Sequence, residues 1–61
     1  MWIAFKIDMD TLIKINLDNI VFISFYQNEI YLQSKEKLNC FNIQRKYNDN
    51  FDYILKELIN L

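Results

Sequence analysis

Asp8 and Asp10, separated by one residue, are the first places in this 61-residue chain where chemistry could sit. Two carboxylates at that spacing could share a divalent cation. No ligand-loop pattern surrounds them, however, and Asp8-Met9-Asp10-Thr11 has the composition of a turn closed by its own side chains. The single cysteine, Cys40, cannot form an internal disulfide, and its place in an alternating segment reads as a small buried hydrophobe rather than a reactive thiol. The chain has no histidine, which removes the ordinary general base, the Ser-His and Cys-His pairs and any imidazole metal site. Asp52 and Glu57 fall on a helix face, where carboxylates serve capping and solubility. The expectation is a protein that is not an enzyme and carries no cofactor or metal.

A second grouping is basic. Lys35, Lys37, Arg45 and Lys46 lie near Tyr31, Phe41 and Tyr47, and such a set could track phosphates while its aromatics stack on bases. Seven basic residues against eight acidic ones leave a formal net charge of −1, and Glu36 interrupts the cluster. Lysines at strand ends also commonly blunt sheet edges. A solvated basic rim is the leading reading, with nucleic acid as a possible partner that is not favoured.

Elements must position these groups, and the apolar spacing defines them. Ile3, Phe5 and Ile7 alternate with Trp2, Ala4 and Lys6, a period of two that predicts a strand over residues 2–8. Ile13, Ile15 and Leu17 repeat the pattern over 11–17. Residues 20–27 are apolar on both sides, with Ile20, Phe22 and Ser24 opposite Val21, Ile23 and Phe25, which suggests a central strand covered twice. Further strands are expected over 29–34 and 38–44. The period then changes: Phe51, Ile54, Leu55, Leu58 and Ile59 form one stripe of a helix over about 49–60. Asn48, Asp49 and Asn50 are candidate caps, and Asp52 and Lys56 are an i,i+4 pair. The fold class is therefore α+β: a single small domain over 1–61, with an antiparallel sheet of four to five strands and one C-terminal helix packed on it.

One helix covers one face of such a sheet. The other face would expose Trp2, Leu12, Val21, Ile23 and Phe25, the candidate interface, and exposed apolar patches of that kind usually mark contact surfaces. The expected first partner is a second copy of the chain, in a homodimer or higher homo-oligomer. Self-closure of the strands into a small barrel is the alternative.

The longest unbroken apolar stretch, residues 20–23, is far short of a membrane span, and the opening residues lack a signal-peptide pattern. A cytoplasmic protein with no membrane partner is expected. Ten Ile, eight Asn, six Lys, five Phe and four Tyr point to an AT-rich gene of bacterial, phage or mobile-element origin.

The opening strand, the Ile-Asn-Leu-Asp-Asn-Ile stretch from Ile15 to Ile20, two further strands and a terminal helix resemble the small flagellar FlbD-like family. That resemblance implies a regulatory protein of the flagellar system. The chain is also similar in size and element order to dimeric CsrA-type RNA regulators. It lacks their glycines and basic RNA-contacting motif, so their activity is not carried over. The functional expectation is a non-catalytic binding protein that occupies a protein target, as a phage- or mobile-element-type inhibitor of a host enzyme such as a defence nuclease would. An oligomer that captures a nucleotide or single-stranded nucleic acid between protomers is the alternative.

Overall fold

The computed structural model describes residues 1–36 and 39–61. Lys37, expected in the basic rim, and Leu38, expected to start the last strand, lie outside the described residues. The fold is α+β. Strands β1 (Trp2–Lys6), β2 (Leu12–Asn16), β3 (Ile20–Phe25), β4 (Glu29–Ser34) and β5 (Cys40–Gln44) precede a helix, α1 (Phe51–Ile59). The strands form two antiparallel sheets, β1-β2 and β3-β4-β5, where the sequence pattern suggested one.

In the first sheet Phe5 faces Ile13 and Ile3 faces Ile15, so the inward row matches the sequence alternation. The strand stops at Lys6, before the expected residue 8, because Asp8 organises the turn. Its Oδ1 accepts the Asp10 and Thr11 amides, each at 2.8 Å, and its Oδ2 accepts the Thr11 hydroxyl at 3.2 Å. The bond from the Asp10 amide, then that from the Thr11 hydroxyl, holds the Asp8 carboxyl below its ordinary value of 3.8. Both oxygens of this aspartate are thus engaged in the turn. A 3-10 turn, Leu17–Asn19, then carries the chain to the second sheet, with the Asn16 Oδ1 accepting the Asp18 amide at 3.0 Å and Leu17 buried.

In β3 the register shifts between Ile20, opposite Ser34, and Phe22, opposite Gln33, so Val21 is the extra residue of a bulge. A bulge inverts the parity of everything after it. Ile20 and Ile23 both pack against the core while Val21 and Phe22 both point outward, which removes Ile23 from the side-chain face assigned to it by alternation. Phe25 shares the Ile23 parity but stays 43 % exposed at the strand end. The two-residue link Gln27–Asn28 closes the β3–β4 hairpin through the Tyr26 amide and the Glu29 carbonyl, 2.9 Å apart. The turns that best match sheet twist at this length need positive φ. None occurs among the described residues of this glycine-free chain.

The core gathers Phe5 and Leu17 from the first part of the chain, Ile30, Leu32 and Ile43 from β4 and β5, and Phe51, Ile54 and Leu58 from α1. The helix therefore docks through the stripe its spacing predicts, except that Ile59 at its end faces solvent. Asn50 holds the N-cap position without a side-chain bond, and Asn48 does something else.

Asn48 is 4 % exposed. Its Oδ1 accepts the Lys6 amide at 2.8 Å, and its Nδ2 donates to the carbonyls of Lys6 and Gln44, both at 2.9 Å. An asparagine amide carries one acceptor and two donors, the set a peptide edge needs. It takes the place of ladder bonds between β1 and β5, which touch but share no backbone hydrogen bond among the described residues. This is why a pattern of five strands resolves into two sheets. Replacing Asn48 by alanine leaves three part-buried backbone groups without partners. The Asn48→Ala variant is expected to lose about 3 kcal/mol or more of unfolding free energy in urea titration, at least about 1 kcal/mol for each bared group; a loss under about 0.5 kcal/mol would show that water replaces the amide at no cost.

Candidate functional site

The surfaces on which this chain can act include two exposed sheet faces and a groove between the hairpins. On the outer face of the β1-β2 sheet, Trp2 sits opposite Asn16, Ala4 opposite Lys14 and Lys6 opposite Leu12. Trp2 and Leu12 are exposed, as the sequence suggested, and the Lys14 Nζ lies 5.8 Å from the Trp2 ring centroid, within cation–π reach.

The outer face of the β3-β4-β5 sheet is richer in aromatics. Phe22, 60 % exposed, follows Val21 in the bulge, and Tyr26 meets Tyr31 edge to face at 5.5 Å. The Tyr31 hydroxyl donates to the Glu29 carboxylate at 3.3 Å. That negative charge, with some desolvation, pushes the phenol above its ordinary value of 10.0, so Tyr31 stays a neutral donor. Cys40 lies opposite Gln33 on this face and is exposed, which corrects its reading as a buried hydrophobe. The alternation placed it opposite Phe41 and Ile43 correctly, but that side of β5 is the outward one. Beside Tyr31, Asn42 has both side-chain polar atoms buried without a hydrogen-bond partner.

The groove, about 420 Å³ in volume, opens where the start of β1 and the end of β2 approach the β4–β5 connection. Ile15, Ile20 and Phe41 supply apolar walls, Trp2 an indole, and Lys14 and Lys35 positive charge, with Glu36 opposing them. Lys14 was not among the basic residues that the sequence brought forward. Its partnership with Lys35 depends on the approach of two separate hairpins, which no local pattern shows.

Among the described residues the expected basic rim does not gather. Lys35 follows β4 while Arg45 and Lys46 follow β5, so the length of a five-residue strand, about 17 Å, separates them. Each nitrogen of the Arg45 guanidinium also has a partner. Its Nε donates to the Asn28 Oδ1 at 3.0 Å, one terminal nitrogen donates to the Gln27 carbonyl at 3.0 Å, and the other pairs with Asp52 at 2.8 Å. Its guanidinium lies 4.3 Å from the Phe51 ring centroid. Arg45 thus clamps the β3–β4 turn to the first turn of α1, and it takes the Asp52 carboxylate that the i,i+4 spacing assigned to Lys56. Lys46 is exposed, with its Nζ 4.9 Å from the Tyr47 ring centroid.

Among the described residues no three His, Cys, Asp or Glu side chains come together as a metal site, and no helix is long and apolar enough to cross a membrane. No family model, curated protein or solved structure matches this chain.

The clamp distinguishes a structural arginine from a solvated charge. Arg45→Lys keeps the charge but loses the planar fork, and is expected to lower stability by about 1–2 kcal/mol in thermal or urea unfolding. A rim residue in the sense the sequence suggested would tolerate lysine with no measurable change.

Proposed function

We propose that this chain is a non-catalytic binding protein that docks the outer face of its three-stranded sheet on a protein target. The observation that carries this reading is the exposed set Val21, Phe22, Tyr26 and Tyr31 on one side of the sheet, bordered by Glu29 and Gln33. Aromatic side chains give large contact area for little conformational entropy, and a polar border fixes orientation, which is the composition of protein interfaces. The target's matching surface is apolar at its centre and offers hydrogen-bond donors to the Tyr31–Glu29 side. AT-rich coding, with no catalytic grouping legible in the sequence, fits an inhibitor of phage or mobile-element type that covers a host enzyme's own ligand site. Trp2 and Leu12 give such a protein a second, smaller apolar face.

Affinity capture from a bacterial lysate, run in parallel with wild type and with Phe22→Asp, tests the reading. Phe22 is exposed, so the variant is expected to keep its circular dichroism while recovery of the captured protein falls about tenfold or more, at least 1.4 kcal/mol of binding. Equal recovery by both baits, or none above background, would overturn it.

The groove favours a second reading, in which a nucleotide base stacks on Trp2 while Lys14 and Lys35 meet its phosphate. Trp2 is the only tryptophan, so its fluorescence reports on this site alone. Titration with adenosine monophosphate is expected to quench it, less strongly at high salt and in Lys14→Ala. Unchanged fluorescence would exclude the nucleotide from the groove.

A further inference from the structure

The two sheets have four edges, and three of them carry features that disfavour further strand pairing. At β1 and β5, which touch each other, the Asn48 amide occupies the outward N–H and C=O of Lys6 and the C=O of Gln44. At β2 the exposed Lys14 stands in the middle of the strand, a charge that disfavours addition of another strand. The fourth edge, β3, reads Ile-Val-Phe-Ile-Ser-Phe, with no charge, proline or glycine. The Tyr26–Glu29 bond fixes the phase of the β3–β4 ladder. Because antiparallel bonds alternate, Ser24 and Phe22 bond to β4, whereas the N–H and C=O groups of Ile23 and Phe25 point away from it. No backbone hydrogen bond reaches those groups among the described residues.

We infer that β3 pairs with β3 of a second copy, antiparallel about a two-fold axis at Ser24, joining two three-stranded sheets into one of six. In this register Ile23 of one protomer exchanges both backbone bonds with Phe25 of its partner, and the reverse pair does the same. Ser24 meets its own counterpart in the narrow, non-bonded position, where Cα atoms approach to about 4.5 Å and a small side chain fits. The two-fold axis places no like charges together, because residues 20–25 carry none. The Val21 bulge twists the strand beyond this point and limits the pairing to its C-terminal half. Phe22 and Phe25 each expose about half of a side chain of roughly 150–250 Å². That falls short of the roughly 800 Å² a side of a standard interface, so the dimer is reversible and concentration-dependent. The inference concerns the edge of β3 rather than its outer face, and it stands or falls separately from the docking of a different protein.

The test uses the full chain, short enough for chemical synthesis with ligation at Cys40. Sedimentation velocity of the wild type is expected to show a monomer–dimer equilibrium that moves to dimer as concentration rises. A single N-methyl group on the Phe25 amide, which points away from β4, is expected to leave the circular dichroism unchanged and abolish the dimer. Ser24→Lys, which sets two lysines against each other at the two-fold axis, is a genetically encoded variant expected to do the same. In a Cys40→Ser background, Ser24→Cys is expected to cross-link to itself in oxidised glutathione, while Gln33→Cys, on the central strand, is not. A wild type that stays monomeric at every concentration overturns the pairing and leaves the face-docking proposal intact. A dimer that survives N-methylation, or that cross-links through Gln33→Cys instead of Ser24→Cys, also overturns it and points to face-to-face packing.

Discussion

Lys6 offers an amide and a carbonyl on the side of β1 that its hairpin partner cannot reach, and Gln44 offers a carbonyl at the end of β5. Left bare at a part-buried junction, such groups cost about 1–3 kcal/mol each, a large share of the stability of a chain this size. The Asn48 side chain satisfies all three with a geometry that only an amide provides. Aspartate lacks the donors, and serine lacks the reach and the number of bonds. Much else follows from that arrangement. The β1-β2 hairpin is held against the second sheet, Phe5 reaches Phe41 edge to face at 6.2 Å, and α1 begins where Asn48 leaves it. The first sheet would otherwise be an isolated hairpin, marginal on its own in water.

Arg45 performs a related task three residues earlier. A glycine-free chain cannot readily use the positive-φ turns that suit a two-residue hairpin, so the Gln27–Asn28 link needs outside support. The guanidinium supplies it from across the sheet and anchors on Asp52 at the helix start. Two long-range polar side chains, one neutral and one charged, thus do for this fold what local turn chemistry does in chains that contain glycine and proline. The arginine is thus committed to holding the fold, while Lys14 and Lys35 line the groove without an ion-pair partner among the described residues.

The elements were legible in the residues because burial imposes its period directly. Ile3, Phe5 and Ile7 or Phe51, Ile54 and Leu58 announce a strand and a helix wherever they stand. The candidate surface was legible only in part. Trp2, Leu12 and Val21 are exposed as their positions suggested, but Ile23 turns inward because one inserted residue at Val21 inverts the alternation, and nothing in Ile-Val-Phe-Ile marks which residue is the extra one. Phe22 was lost from the candidate surface by the same inversion. Cys40 shows that alternation yields sides without saying which is wet. The basic residues show a different failure: closeness along the chain is not closeness in space when a strand runs between, and Lys14 and Lys35 meet only because separate hairpins converge. Asn48 read as a helix cap, its commonest use, because a side chain's bond to a strand 42 positions away leaves no mark on its neighbours.

That 42-residue reach also sets an order of events during synthesis. The β1-β2 hairpin is synthesised early, yet the amide that completes its open edge is polymerised roughly 2–8 seconds after Lys6 at ordinary translation rates of about 5–20 residues per second. Until then the inner row of Ile3, Phe5 and Ile7 has neither the helix nor the whole second sheet to cover it. Folding of the first hairpin is therefore a late event that waits on residues far toward the carboxyl side.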